Sequence, residues 1–475
     1  MINKFNDITS KEWLPFQKSW FKHDSIEKLY TDNIRFFTKA DQTDDTVFYF
    51  GSNNKVFENI SKLNNLNYTS SDTFKNESIQ FAIFDLLDKI TEKTTLDDYS
   101  ELKNRIIKIA CSIYNKLVNK RFILIILPNI QISNQFFPFA WDLAKHLSTI
   151  FSIKDEKIGC FSDDDCLIKD TTYFSPHKRI FYCLYLKKDE SSCGEYKELN
   201  LNYFSKYTQQ KSNVTFPSTF PRWFILKPQP RNNDEILHPA KYPEELVEMF
   251  IKEFSCINNN IFDPMSGTGS TQLGALKMQR NGFGTELSEF FFKIAVKRCK
   301  EFIAPSQKTL FVEEKKNIFK ILNKDARLIK KDDFPLIDYL ITSPPYWDML
   351  NMKGAENQAK RIEKGLQTNY SNNNCDLGNI EDYNVFLNSL VDIYNNIGKF
   401  IKPGGYLTII VKNIKKKGKN YPLAWDLANE LQKELILLPE VFWCQDDISI
   451  APYGYGNTWV SNTFHQYCLN FQKPL

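Results

Sequence analysis

A chain of 475 residues with 42% hydrophobic and 25% charged residues has the composition of an ordinary globular protein, with length for two or three domains. No apolar run reaches the ~18 residues of a membrane helix, and the amino terminus lacks the apolar core of a signal peptide. The ten cysteines are scattered without a C-x-x-C pair, which argues against structural zinc or any other metal and predicts a reduced, cytoplasmic setting. A net charge of +4 is too small to attract nucleic acid by the global field, so any such attraction must come from local patches.

Residues 123–147 match 407–431 without a gap. Each segment reads as an apolar strand, an Asn-Ile pair, and a helix opened by Pro-x-Ala-Trp-Asp-Leu-Ala, with Pro in the first turn where its missing N–H is harmless. Asn129 and Asn413, and Trp141 and Trp425, lie 284 positions apart. The likeness extends back to Asp98-Tyr99 against Asp382-Tyr383, and forward to Tyr182-Cys183-Leu184 against Tyr467-Cys468-Leu469 at a spacing of 285. A strand and a Pro-started helix are common; seven matched positions in one block are not. The sequence therefore predicts an internal duplication, with a domain over 1–205 and a second over 237–475. Projected by 284, Asp263 falls before the chain begins and Ser343 falls at Asn59. The first copy is accordingly expected to lack both features that distinguish the second. Residues 206–236 hold Pro217, Pro221, Pro228 and Pro230 and read as an extended linker.

In the second half, Pro243 opens an amphipathic helix whose Glu244 and Glu245 suit its N-terminal dipole. A short strand then ends in Asp263-Pro264-Met265-Ser266-Gly267-Thr268-Gly269-Ser270-Thr271 and passes into a helix. Two glycines let the backbone turn tightly against a ligand at the helix N-terminus. About twenty residues on, a second strand ends in Glu286, placed to accept ribose hydroxyls. A third strand-like segment ends in Asp325-Ala326, where the acid can meet an adenine amino group. With no Lys in the loop, the pattern fits adenosine without phosphates. The run 336–341 is a buried strand that stops at Thr342-Ser343-Pro344-Pro345-Tyr346, a rigid polar edge. Residues 348–382 are polar and turn-rich, and 452–459 form an aromatic, glycine-rich loop suited to lining a pocket or packing at a rim. Lys412, Lys415, Lys416, Lys417 and Lys419 form a basic run that the first copy replaces with uncharged residues at 128–135, so they are expected to contact phosphate.

The loop Asp263-Pro264-x-x-Gly267-x-Gly269-x-Thr271 resembles the S-adenosylmethionine loop of DNA amino-methyltransferases, and Thr342-Ser343-Pro344-Pro345-Tyr346 resembles their catalytic motif. His238-Pro239-Ala240-Lys241 resembles the cofactor-side segment that precedes the loop. Met265 departs from the Phe or Tyr usual there. The resemblance covers about half the chain and implies an α/β fold, a Rossmann-like, doubly wound, mostly parallel sheet of the class I methyltransferase type. The first half then reads as a degenerate copy of related fold, serving in target recognition or DNA clamping.

The resemblance also implies the chemistry. An exocyclic amino nitrogen is a poor nucleophile because its lone pair is delocalised into the ring. Acceptors on both N–H bonds, here the Ser343 hydroxyl and the Pro344 carbonyl, favour the pyramidal geometry that attacks a sulfonium methyl. Pro344 and Pro345 fix the backbone that aims the carbonyl, and Tyr346 offers a flat face to a base flipped from double-stranded DNA. Cytosine C5 chemistry is excluded by the absence of a Pro-Cys dipeptide. Ser in the first motif position leans toward cytosine N4, with adenine N6 the runner-up. The rivals of other classes are an RNA guanine methyltransferase and a non-catalytic DNA-binding subunit. A cognate restriction endonuclease is an expected partner, and a monomer with pseudo-dimeric halves or a homodimer the expected assembly.

Overall fold

The computed structural model describes residues 3–40, 46–71, 76–161 (apart from 92, 133 and 134), 180–199, 220–226, 243–304, 317–347 and 376–475 (apart from 417, 447–449, 453 and 460). Among these residues no helix is long and apolar enough to cross a membrane. The chain divides into two compact units. The first comprises residues 1–224 together with 415–421 and 444–465, and the second the remainder of 225–475.

The first unit is built on a seven-stranded sheet of β1 (Trp20–Lys22), β2 (Thr46–Phe50), β3 (Asn67–Thr69), β4 (Ile79–Asp85), β5 (Leu117–Leu127), β6 (Ser152–Cys160) and β7 (Ile180–Lys187), in the order β1-β6-β7-β5-β4-β2-β3. Strands β2 to β5 are mutually parallel and β7 is antiparallel to β5. Every residue of β4 is buried, as expected for a strand covered on both faces. The aromatic residues Tyr30, Phe36, Phe37, Phe122 and Tyr185 fill one side of this sheet together with Trp459, which is 1% exposed and donates its indole N–H to the Phe16 carbonyl at 3.0 Å. Trp459, from the aromatic stretch near the carboxyl end, is thus part of the first unit's core, with the half-buried Tyr455 packed against it.

The second unit is built on a nine-stranded sheet whose main strands are β8 (Asn260–Asp263), β9 (Asn281–Glu286), β10 (Phe319–Asn323), β11 (Ile337–Thr342), β12 (Ile401–Val411), β13 (Val441–Cys444) and β14 (His465–Gln472). Their order is β13-β14-β12-β11-β8-β9-β10. All pairs from β12 to β10 are parallel, and β14 runs antiparallel to β12. This is a doubly wound sheet with one reversed strand, and the first unit repeats six of its strands in order, β6-β7-β5-β4-β2-β3 answering to β13-β14-β12-β11-β8-β9, with no counterpart of β10 among the described residues.

The repeated residues have matching duties. The Asn129 side chain accepts from the Ala140 N–H at 2.9 Å, and Asn413 from the Ala424 N–H at 3.0 Å, so each caps the helix that follows. Tyr99 donates to Asp142 at 2.8 Å and Tyr383 to Asp426 at 2.6 Å. Pro138 and Pro422 share φ −82°.

Register corrects the sequence alignment at two places. Phe81 pairs with Phe122, and Tyr339 with Tyr406. Because Phe122 and Tyr406 are the 284-apart equivalents, Phe81 answers to Tyr339 at a spacing of 258. Counting on along each strand, Asp85-Leu86-Leu87-Asp88, and not Asn59, stands where the second half has Ser343-Pro344-Pro345-Tyr346. The constant spacing fails because the second half inserts 26 residues between this strand and the next helix. Likewise Val47 pairs with Phe81, and Ile261 with Tyr339, which sets Tyr49 against Asp263 at a spacing of 214. The first half therefore does possess the strand-to-helix connection that the projection placed before the chain; what it lacks are the residues, with Tyr49-Phe50-Gly51-Ser52-Asn53 in its place.

Candidate active site

The loop after β8 is organised by one carboxylate. Asp263 is fully buried. Its Oδ1 accepts from the Met265 N–H at 2.9 Å and the Thr342 hydroxyl at 2.7 Å, and its Oδ2 from the Thr271 hydroxyl at 2.7 Å. A buried carboxylate is tolerable only when so compensated. Here the compensation joins three pieces: the loop, the first turn of helix Ser270–Lys277, and the end of β11 just before Ser343. Asp263 thus shapes the loop and fixes it to the Ser-Pro-Pro-Tyr edge. Pro264 is buried and Met265 half-buried.

Gly267 and Gly269 have φ of 52° and 80°, the left-handed region that suits glycine. A Cβ on Gly269 would also lie 2.8 Å from that of Ala295. The Thr268 and Ser270 hydroxyls beside them are buried with no hydrogen-bond partner among the described residues. Buried polar atoms are normally satisfied, so this loop has capacity for a polar ligand.

Glu286, at the end of β9, is 9% exposed. Its oxygens accept from the Gly267 and Ser288 N–H groups, each at 2.8 Å. Burial pushes its pKa up to about 7 against those two N–H bonds, with Asp263 and Asp376 adding to the rise. A carboxylate has about four acceptor positions, so two remain for the diol of a ribose. Asp325 accepts from the Arg327 N–H at 2.9 Å and pairs with its guanidinium at 2.6 Å. Although burial acts to raise its pKa, the bonds from Arg327 hold it below the ordinary carboxylate value. An adenine amino group reaching Asp325 has to share it with Arg327. Ala326 is buried beside it.

Two supports of the loop carry no motif. A Cβ on Gly284 would fall 2.3 Å from both Gln272 Nε2 and Ser266 Oγ; the bare backbone lets Gln272 donate to Ser266 at 2.9 Å and to the Phe283 carbonyl at 2.8 Å. The glycine-x-glycine spacing inside a strand was the available signal. Arg298 donates to the Thr268 carbonyl at 2.7 Å and pairs with Glu244. Its partners are 30 and 54 residues away, beyond any local pattern.

The edge itself follows β11. Pro344 is buried, and Ser343, Pro345 and Tyr346 are half-buried. The turn is held before Ser343 by Thr342 on Asp263 and after Tyr346 by Trp347, whose ring packs edge-on against Tyr383 at 5.2 Å. Tyr383 is in turn fixed on Asp426. The Lys412 ammonium lies 4.6 Å from the centre of the Tyr346 ring, a cation–π distance.

The lysine run divides. Residues 414–416 and 419–421 pair as a two-stranded hairpin, the counterpart of 130–132 with 135–137. Lys415 turns inward: its ammonium pairs with the fully buried Asp155 and donates to the Ser461 carbonyl and hydroxyl at 2.9 and 3.0 Å. Lys415 therefore departs from the phosphate contact that the sequence predicts: its charge is engaged by a buried carboxylate that is expensive to leave unpaired. Lys416 is half-buried and Lys419 exposed, 5.1 Å from the Tyr421 ring centre. His238, Lys417 and the turn-rich segment 348–375 lie outside the described residues. Among the described residues no cluster of three His, Cys, Asp or Glu side chains could hold a metal.

A doubly wound sheet whose carboxyl edge brings together a glycine loop, a buried acid on the neighbouring strand and a Ser-Pro-Pro-Tyr turn defines a methyltransferase of the class I type. The sequence profile of the DNA methylase family, the N6 and N4 amino-methyltransferases that use S-adenosylmethionine, matches residues 17–297. That is more than half of the chain, and the chain belongs to this family. The match runs through the first unit's sheet and ends beyond Glu286, before Ser343. Among similar proteins, the type II methyltransferase M.MjaI of Methanocaldococcus jannaschii is 32% identical over 95 residues, 19% of this chain and 28% of that protein. The orphan methyltransferase M.BamHII of Bacillus amyloliquefaciens is 39% identical over 66 residues, 14% of this chain and 25% of that one. M.ScaI of Streptomyces caespitosus is 41% identical over 61 residues, 13% and 20% of the two chains. The chain thus spans about a quarter of the length of these relatives.

Proposed function

We propose that this chain transfers a methyl group from S-adenosylmethionine to the exocyclic amino group of a flipped base in double-stranded DNA, at cytosine N4 in preference to adenine N6. The observation that carries the reading is the three-way grip of Asp263, which ties the cofactor loop to the strand end that presents Ser343. The unpartnered Thr268 and Ser270 hydroxyls and the two positive-φ glycines suit that cofactor, with Glu286 for its ribose. His238, Pro264, Met265 and Asp325-Ala326 complete the set we assign to it. When bound, the cofactor supplies an electrophilic methyl on a sulfonium.

The chain's own residues then do the following. The Ser343 hydroxyl and Pro344 carbonyl accept the two amino N–H bonds and direct the nitrogen lone pair outward. Pro345 keeps that carbonyl aimed, and Tyr346, backed by Lys412, gives the extruded ring a face on which to stack. We assign 237–475 as the catalytic domain, 206–236 as linker, and 1–205 as a degenerate domain that reads or clamps the target. Lys416, Lys417 and Lys419 are assigned to phosphate. A restriction-modification setting with a partner nuclease, a cytoplasmic location, and a pseudo-dimeric monomer or a homodimer belong to the same reading.

The test is transfer of labelled methyl from S-adenosylmethionine to duplex DNA by the full chain, with nucleoside analysis of the product. Loss of transfer in Ser343→Ala with cofactor binding intact supports the assignment; transfer to RNA alone, or none to any nucleic acid, would overturn it. Point variants are preferable to removal of 1–205, because 415–421 and 444–465 belong to the first unit.

A further inference from the structure

The first unit contains a cavity of about 710 Å³ whose lining includes Asn53, Asp85, Leu87, Pro128, Ile130 and Phe161, a size typical of small-ligand sites. Its position is informative. Asp85 and Leu87 answer to Ser343 and Pro345 in the strand register, and Pro128 and Ile130 to Lys412 and Ile414. The cavity therefore lies at the carboxyl edge of the parallel strands, where doubly wound sheets bind ligands, and at the very edge that carries Ser-Pro-Pro-Tyr in the other half.

The neighbouring place, which in the second half is the glycine loop, is filled here by side chains. Tyr49 stands for Asp263, and its hydroxyl lies 2.2 Å from where a Cβ on Gly51 would be. Its ring stacks on Phe57 at 4.5 Å, and its hydroxyl meets that of Tyr30 at 2.9 Å. Tyr49 and Gly51 thus replace the bonds of Asp263, while Asn53, which answers to Gly267, lines the cavity.

The polar groups of the cavity suit a base. Asp85 is 4% exposed; it accepts from the Leu87 N–H at 3.0 Å and from the Tyr30 hydroxyl. Of the roughly four acceptor positions of a carboxylate, that leaves acceptors for the N–H groups of a ligand. Asn53 adds an amide beside it. Leu87, Pro128, Ile130 and Phe161 give apolar walls suited to a flat ring, and Lys93 is also among the lining residues, a cation for a phosphate. Leu86-Leu87-Asp88 in place of Pro-Pro-Tyr removes the rigid carbonyl and the aromatic platform, so the pocket can hold but not activate.

We propose that the first half binds, without modifying it, an unpaired nucleobase that carries an exocyclic amino group, with Asp85 accepting the amino hydrogens. This rests on the reading of the first half as a target-recognition domain and names its ligand.

The experiment is hydrogen exchange of the full-length chain over residues 80–95, with dCMP, dAMP or dTMP, and separately with single-stranded and duplex oligonucleotides. Expected is slowed exchange with dCMP or dAMP and with DNA, but not with dTMP, which lacks the amino group. Asp85→Ala should weaken that binding roughly tenfold to a hundredfold. Leu87→Trp should abolish the protection by filling the pocket while leaving S-adenosylmethionine binding, measured in parallel, in place; that second measurement reports on folding. Protection equal with dTMP, none with any nucleotide, or protection that survives Leu87→Trp would overturn the proposal. Protection by mononucleotides but by no DNA would keep the pocket and remove the target-reading role. Because the readout is binding, a chain that fails to methylate DNA could still show it, so the two readings fail separately.

Discussion

The two halves of this chain answer the same backbone with different residues at two places. In the second half Asp263, Gly267 and Gly269 open a cradle, and Ser343-Pro344-Pro345-Tyr346 stand at its side. In the first, Tyr49 stands in place of Asp263, packed on Gly51 and Phe57, and Asp85-Leu86-Leu87-Asp88 stand at its side. The sheet order, the Asn caps and the Tyr–Asp bonds are otherwise repeated. The difference teaches that the scaffold requires neither feature, since a closely similar sheet is built without them. What the second half retains at those positions is what we assign to a ligand and a reaction.

The comparison can be broken most severely at the edge. Ser343→Ala or Pro345→Ala should lower methyl transfer on the order of a hundredfold or more, the usual loss when a group aimed at the reacting atoms is removed, with cofactor affinity unchanged by equilibrium dialysis. Parallel loss of cofactor binding would show that the turn only supports the loop. In the first unit, Trp459→Ala should cost ~3–5 kcal/mol of stability, seen in denaturant unfolding, because its ring is a core element of that unit. A change confined to DNA affinity would contradict this.

Cofactor stoichiometry sharpens the contrast further. S-adenosylmethionine should saturate at one per chain in calorimetry; Asp263→Ala should weaken it about tenfold or more through loss of the buried bonds, while Tyr49→Phe leaves it unaltered. Two sites per chain would mean that the first half takes the cofactor as well.

A smaller effect concerns pH. Glu286 has an ordinary value of 4.5 and a folded value of about 7, so the fold favours its protonated form. That contribution to stability is complete below 4.5 and is lost as pH rises through about 7. Ribose hydroxyls donate to the ionised carboxylate, so cofactor affinity should rise roughly tenfold between pH 6 and 8, and Glu286→Gln should flatten the dependence. An equal slope in that variant would assign the titration elsewhere.

Much of this was legible in the residues. The Asn-Ile and Pro-x-Ala-Trp-Asp blocks disclosed the duplication because a buried strand and a capped helix constrain their residues tightly, and the glycine loop and double proline are local signals of backbone geometry. The register of the first half was not legible: an inserted 26 residues shift the spacing, and only strand pairing shows that Asp85 replaces Ser343. Lys415 reads as one of a phosphate-contacting run, yet its partner Asp155 is distant in sequence and buried. Arg298 acts through contacts 30 and 54 residues away that no short pattern encodes. Sequence thus gives each element's character, while the pairing of distant elements decides which residues face one another.

The most direct test of the division of labour is nucleoside mass spectrometry of duplex DNA incubated with the full chain and S-adenosylmethionine. The expected product is a methylated amino base, N4-methylcytosine, that disappears in Ser343→Ala. Methylated product at an undiminished level in that variant would contradict it.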